Sequence, residues 1–260
     1  MLFPEMVASP VIVTNSRGIA SDTIAEHVIA MILALFRRLP LAVRRQWERV
    51  WAQEELSAPP GNRMLAGSTV VVVGLGGIGS AVARRLDALG AYVIGVRRRG
   101  SEAVGGVARV HVSGEIPGLL PAADVVVIAA PQTHQTRGMF GRAALGAMKP
   151  DAILVNVSRG GLVDEDALTE ALAAGRLGGA ALDVLRDEPL HPASPLWHLP
   201  NVLITPHTSG FRDDHWDVIT ELFSQNLRRF LRGDTLLNSW TRAPGTDRHR
   251  GQIRPADVSV

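Results

Sequence analysis

The 260-residue sequence contains no cysteine. That absence excludes a disulfide framework, thiolate metal sites and cysteine nucleophiles, so any chemistry must use other groups and no metal site is indicated. Lysine is almost missing as well, with Lys149 the only one among 27 basic residues. Such an arginine preference reads as the codon usage of a high-GC genome before it reads as phosphate recognition. The 25 acidic residues leave a formal net charge of only +2, which does not indicate a nucleic-acid partner. No long apolar run is present either. Residues 28–36 form the longest, well short of the ~20 residues a membrane span needs, and Glu26, His27, Arg37 and Arg38 flank them. The start, MLFPEMVASP, lacks a basic region followed by an apolar core, so no signal peptide is read and the cytoplasm is the default compartment.

What is present is a composition for a large buried core: 46% hydrophobic and 20% charged residues predict a soluble globular protein. The run SDTIAEHVIAMILALFRRL predicts a helix over residues 22–39, with a capping Ser or Asp at its start, arginines in its last turn and Pro40 as its stop. Because residues 28–36 are apolar all round, this helix is expected to be enclosed, in the domain or at a subunit contact. WERVWAQEEL reads as a shorter helix and SAPPGN as a break. Beyond it, apolar β-branched runs alternate with helical segments: TVVVVG, AYVIGV, DVVVIAA, AILVNVS, GAALDVL and NVLITP. Continuous runs of this kind suit a parallel sheet covered on both faces, so the expected fold is a doubly wound α/β (Rossmann) domain. Ile78, Val82, Leu86 and Leu89 are expected on one face of the helix after the first strand, and a helix capped at Asp164 is expected to end at Gly175.

Between the first strand and its helix lies Gly74-Leu75-Gly76-Gly77-Ile78-Gly79. In that context a GxGxxG is a dinucleotide fingerprint. Gly74 allows the tight turn, Gly76 lets the backbone approach a pyrophosphate, and Gly79 lets strand and helix pack closely, while the N–H groups at the helix start face the phosphates. NAD-specific folds place a carboxylate about 20 residues further on, at the end of the second strand. Arg97, Arg98 and Arg99 stand there instead. Guanidinium groups at that corner suit a 2′-phosphate, so NADP(H) is the expected cofactor, with NAD(H) as the alternative.

Three further segments each place one polar residue after an apolar run: Arg159 in NVSRGGLVDE, Glu188 in ALDVLRDEPL and His207 in NVLITPHTSG. With LAGSTVVVVGLGGIG, APQTHQTRGMF and SPLWHLPNVLITPHTSG, these segments resemble the D-isomer-specific 2-hydroxyacid dehydrogenases, over residues 20–233. The resemblance implies hydride transfer between a nicotinamide and C2 of a small 2-hydroxy or 2-oxo acid, of glyoxylate or hydroxypyruvate size. It implies that Arg159 grips the substrate's carboxylate and oxo group, that His207 is the acid/base, and that Glu188 orients His207. It implies cofactor contacts from Gly74, Gly76, Gly77, Ile78, Gly79, Arg97, Arg98, Ala130, Pro131, Val157, Ser158, Arg159, Asp183, His207 and Gly210, and a homodimer. The resembling formate dehydrogenases pair the histidine with a glutamine, which disfavours formate here. The chemistry agrees on general grounds: reducing a carbonyl needs a proton donor in line with the developing oxyanion, and histidine serves in both directions.

The domain reading follows: 1–20 as a remnant of a flavodoxin-like substrate domain, 21–210 as the dinucleotide-binding domain with its N-terminal interdomain helix, 211–234 as a returning helix and 235–260 as a disordered tail. Family members carry a lobe of about a hundred residues before that interdomain helix. The alternative reading is therefore a truncated, catalytically inactive dinucleotide-binding protein or regulator.

Overall fold

The structure is a computed structural model that describes residues 6, 9, 11–59, 61–100 and 102–239. Most of residues 1–10, and residues 240–260 of the tail expected over 235–260, lie outside the described residues. Two compact units divide the chain, Ser21–Gly210 on the one hand and Met1–Ala20 with Phe211–Val260 on the other.

The larger unit opens with helices α1 (Ser21–Phe36), α2 (Leu39–Trp47) and α3 (Gln53–Ser57). There follow β1 (Thr69–Val73), α4 (Gly77–Ala88), β2 (Tyr92–Arg97), β3 (Arg109–Val112), α5 (Ile116–Leu119) and β4 (Val125–Ile128). Then come α6 (Arg142–Ala147), β5 (Ile153–Asn156), α7 (Glu165–Ala173), β6 (Gly179–Leu182) and β7 (Val202–Ile204). The seven strands form one sheet in the order β3-β2-β1-β4-β5-β6-β7, every neighbouring pair parallel. It is the doubly wound Rossmann arrangement.

The valine runs are explained by burial on two faces. Val70, Val72, Val125 and Val127 pack with Val28, Ile32 and Phe36 of α1 and Val82 and Leu86 of α4. Their alternates Val71, Val73, Val126 and Ile128 pack with Leu145 of α6 and Leu168 and Leu172 of α7. A strand sandwiched in this way has no polar face to show, so its sequence shows no alternation. Each such side chain contributes about 1.5–3 kcal/mol relative to exposure.

Several local expectations change. Helix α1 ends at Phe36, before Arg37 and Arg38, because Arg38 adopts the left-handed conformation (φ 54°). Pro40 starts α2 instead of stopping α1: it lies in the first turn, where its missing N–H has no helical partner to lose. WERVWAQEEL is not one helix, since residues 48–52 are irregular and Arg49 is left-handed (φ 58°). Leu89 caps α4 and is exposed, because the helix has ended and its periodicity no longer governs where the side chain points. Strand β3 has no counterpart among the expected runs. Its segment RVHV is partly exposed along its length, as befits an edge strand. Asp164 does cap α7, accepting the Ala167 N–H at 3.1 Å, and Gly175 follows with φ 63°.

In the smaller unit, α8 (His215–Arg232) ends at Gly233 in the left-handed conformation (φ 75°). Asp214 occupies its N-cap without a side-chain capping bond and pairs instead with Arg212. Asn226, buried on α8, exchanges two hydrogen bonds with the backbone of Leu237, at 2.7 and 3.0 Å. Asn238 donates to the Arg17 carbonyl at 2.9 Å, and Thr14 forms an antiparallel bridge with Ser239. These bonds anchor residues 237–239, which fall within the tail expected over 235–260.

Candidate active site

The order of strands reverses between β1 and β4, and the crevice outside their C-terminal ends is where open α/β sheets bind ligands. Gly74 leaves β1 with φ 100°, and a Cβ there would lie 2.7 Å from the backbone of Ala129 and Ala130. No other residue fits this turn. Gly79, in the first turn of α4, is still tighter: its Cβ would lie 1.8 Å from the Gly74 carbonyl oxygen. Gly76 caps α4 without a side-chain bond and with open space beside its Cα, so Gly76, Gly77 and Ile78 present a helix start that no side chain caps. Backbone donors in that arrangement fit a pyrophosphate.

Around this turn the structure places the other expected cofactor residues at the same end of the sheet. Arg97 ends β2, where it pairs with the Glu102 carboxylate. Arg98 and Arg99 follow, exposed, and form no ion pair among the described residues. At the ends of β4 and β5, the Ser158 hydroxyl donates to the buried Ala130 carbonyl, next to buried Val157 and exposed Pro131. These groups fit a dinucleotide along the crevice.

Arg159 leaves β5 through a turn built by Asn156, whose buried side-chain amide donates to the Arg159 carbonyl at 3.0 Å and accepts the Ser158 N–H at 3.1 Å. The exposed Arg159 guanidinium bends back to the Ser158 carbonyl, 2.6 Å away. It makes no ion pair among the described residues, which leaves its fork free for a carboxylate.

Asp183, at the end of β6, is 1% exposed and organises the turn after β7. Its carboxylate accepts the Thr205 hydroxyl at 2.6 Å, the Thr208 N–H at 2.9 Å and the Ser209 N–H at 3.2 Å. Burial pushes this carboxyl up, but the donors from Ser209, Thr205 and Thr208 outweigh it and hold the group below the usual carboxylate range. Its carbonyl accepts the His207 N–H at 2.9 Å. His207 is held in the left-handed conformation (φ 54°), uncommon outside glycine, and Gly210 closes the turn two residues after Thr208.

Glu188 reaches His207 from the loop after β6. Its Oε2 lies 2.7 Å from His207 Nδ1, and its Oε1 accepts the Leu185 N–H at 3.0 Å. Burial raises this carboxyl, but the bonds from His207 and Leu185 prevail and leave it below its ordinary range. An ionised carboxylate only accepts, so Nδ1 carries the ring proton. Nε2 has no partner among the described residues and can give or take a proton at the crevice. Of the three expected catalytic residues, Glu188 and His207 are thus in direct contact, while Arg159 stands at the end of β5, one strand further along the sheet from β6.

Three residues of this scaffold were not among the expected site residues: Asn156, Thr205 and His27. Asn156 was visible as a polar residue closing the apolar run ILVN, where burial demands a specific partner. Thr205 and His27 meet only in the fold, at 2.9 Å and 178 residues apart, and no local pattern links them.

Residues 29–209 match the family described as D-isomer specific 2-hydroxyacid dehydrogenase, NAD binding domain. The chain is 34% identical to a glyoxylate reductase of Thermofilum pendens, an alignment covering 89% of this chain and 68% of that protein. It is 35% identical to a D-3-phosphoglycerate dehydrogenase of Mycobacterium bovis, covering 87% of this chain but 42% of that one, so it spans less than half of that relative. Among solved structures, a D-isomer specific 2-hydroxyacid dehydrogenase from Xanthobacter autotrophicus Py2, in complex with NADPH and MES, is 32% identical with a TM-score of 0.78. That match covers 93% of this chain and 98% of the other.

Proposed function

The chain belongs to the D-isomer specific 2-hydroxyacid dehydrogenase family, and on that premise we propose that it transfers a hydride between NADP(H) and C2 of a small 2-oxo or 2-hydroxy acid. The observation that carries this reading is the Glu188–His207 pair at 2.7 Å, beside a glycine turn built for a dinucleotide. The cofactor would supply the hydride. Arg159 would hold the substrate's carboxylate with its planar fork, as guanidinium groups do. As negative charge develops on the reduced oxygen, His207 would deliver the Nε2 proton to it, and Glu188 would stabilise the ring by its bond to Nδ1. In the oxidative direction the neutral Nε2 would take the hydroxyl proton back. Asp183 would face the carboxamide side of the nicotinamide from the end of β6.

NADP(H) is favoured over NAD(H) because Arg97, Arg98 and Arg99 occupy the corner where a ribose-binding carboxylate belongs. The NADPH in the Xanthobacter structure supports this choice. Substrates of glyoxylate or hydroxypyruvate size follow from the similarity to the glyoxylate reductase. The decisive assay is oxidation of NADPH followed at 340 nm with a panel of 2-oxo acids. Turnover on glyoxylate or hydroxypyruvate supports the reading, and NADPH binding without turnover on any of them sinks it. That second outcome is the signature of the alternative, a dinucleotide-binding regulator, which the coverage of only 68% of the glyoxylate reductase keeps in view.

A homodimer belongs to the same reading. The apolar side chains of α1 do not argue for it, since Val28, Met31, Ile32 and Phe36 are spent on the core of their own unit. Support comes instead from Trp47 and Trp51, 82% and 91% exposed around α2 and α3. Large aromatic surfaces are rarely left in water without a partner. Trp47→Glu with Trp51→Glu is expected to convert a dimer to a monomer in light scattering, and a wild-type monomer at micromolar concentration contradicts the assignment.

A further inference from the structure

His27 projects from α1 to the turn after β7, and its Nε2 lies 2.9 Å from the Thr205 hydroxyl oxygen. The direction of each bond in this chain is fixed by chemistry. The Asp183 carboxylate already receives the Thr208 and Ser209 N–H groups and is buried among donors, so it acts only as an acceptor. At 2.6 Å the Thr205 hydroxyl must therefore donate its proton to Asp183. With its proton committed, Thr205 Oγ1 can only accept from the ring, so Nε2 of His27 bears a hydrogen. The result is a one-way relay, His27 Nε2–H to Thr205 Oγ1–H to Asp183 Oδ1. Direct approach of His27 to Asp183, at 3.8 Å, adds attraction whenever the ring is charged.

Asp183 is the hub of the site. Its carboxylate fixes the amides of Thr208 and Ser209, and its carbonyl fixes the amide of His207 in a left-handed conformation that a side chain disfavours. The Thr205 hydroxyl at the end of the relay is a side-chain donor to that carboxylate beside the two backbone N–H groups. A carboxylate that has lost the Thr205 donor can rotate, and the turn carrying His207 loses one of its anchors. α1 packs along α4, the helix whose start forms the glycine turn. Through His27 the same helix also reaches the opposite wall of the crevice.

We propose that His27 is a positioning residue, which through Thr205 sets the Asp183 carboxylate and thereby the turn that presents His207 and the nicotinamide side of the crevice. This rests on the reading of His207 as the acid/base and of the crevice as a nicotinamide site.

Four substitutions test it: His27→Leu removes the donor, His27→Gln puts an amide N–H at a similar reach, Thr205→Val removes the hydroxyl and Thr205→Ser keeps it. In the ligand-free ¹H–¹⁵N spectrum, the Thr208 and Ser209 amides are expected to shift in His27→Leu and to return in His27→Gln. NADPH binding, followed by its fluorescence, is expected to weaken about 3- to 10-fold in His27→Leu, the loss of one partly buried hydrogen bond. kcat falls by a similar factor with the KM for the 2-oxo acid unchanged, and Gln restores both. The double variant His27→Leu, Thr205→Val should be no worse than Thr205→Val alone, because both act on one chain of bonds. Additive effects, unmoved amides or failure of Gln to restore what Leu removes would overturn the proposal. If His27→Leu does not fold, Thr205→Val against Thr205→Ser reads the same link. A wild-type protein without turnover would sink the dehydrogenase reading, yet the amide shifts and the NADPH affinities would still decide the role of His27.

Discussion

His207 Nδ1 and Glu188 Oε2 are 2.7 Å apart, although 19 residues separate them in sequence. The contact fixes which ring nitrogen is available. Because the carboxylate is held ionised and accepts the hydrogen bond from Nδ1–H, Nε2 is the position that exchanges a proton with a ligand. The two residues reach each other from the segments that follow the neighbouring strands β6 and β7, and the Leu185 N–H holds the Glu188 side chain in its loop.

Arg159 is expected to act chiefly on the acid, its contact with the dinucleotide contributing little to cofactor affinity. Among the described residues its guanidinium bonds only the Ser158 carbonyl, so turning to a substrate exchanges that one hydrogen bond and breaks no ion pair. Arg159→Leu should lower kcat/KM for the 2-oxo acid by roughly 10²-fold, as expected for a charge-assisted bidentate contact, with the NADPH dissociation constant within about twofold. Steady-state kinetics with a fluorescence titration separates the two. Equal losses in both would place Arg159 on the cofactor instead.

Cofactor choice is expected to follow the arginines after β2. Arg97 is already engaged by Glu102, whereas Arg98 is exposed without an ion pair among the described residues. Arg98→Asp should weaken NADPH by about 10- to 100-fold relative to NADH, the cost of replacing a charge-assisted phosphate contact with a repulsion. The ratio of kcat/KM for the two reduced cofactors checks this. An unchanged ratio would remove Arg98 from the site.

Much of this arrangement was legible in the sequence, for reasons that can be named. The strands were visible because a sheet covered on both faces demands unbroken apolar runs, and Val70 to Val73 supply one. Gly74 and Gly79 were visible because the turn tolerates no Cβ. Edge strand β3 was not visible, because partial exposure permits Arg109 and His111 and erases the run. The end of α1 was misplaced because Pro40 reads alike as a stop or a start, and only the left-handed Arg38 decides between them. Residues 237–239 read as tail because their anchors, Asn226, Arg17 and Thr14, lie on other segments and leave no local pattern in the sequence. The relay through Thr205 was hidden because His27 lies on the first helix, far from the strand ends that drew attention to the other site residues.

Stability at low pH is expected to depend on Asp124. This partly buried carboxylate, just before β4, accepts the Thr69 N–H at 2.7 Å and Lys149 at 2.8 Å, with Arg63 at 3.6 Å. Burial pushes it up, but Lys149, Thr69 and Arg63 outweigh burial and hold it below the ordinary value. A carboxylate depressed in the folded state stabilises the fold above its unfolded pKa, about 3.9, and the contribution is lost as pH falls through the lower folded value. Asp124→Asn should therefore cost about 1–3 kcal/mol at pH 7 and progressively less below pH ~4, as read by urea unfolding across pH. A difference that does not change with pH would show that the ion pairs contribute nothing.

His207 as the proton donor and Glu188 as the group that holds it are the centre of the proposed chemistry. The direct measurement is kcat for NADPH-dependent reduction of glyoxylate by wild type, His207→Gln and Glu188→Gln, with NADPH affinity measured alongside. The expected result is a loss of about 10²- to 10⁴-fold in His207→Gln and a smaller loss in Glu188→Gln, with cofactor affinity nearly unchanged. A His207→Gln protein that reduces glyoxylate at the wild-type rate would contradict it.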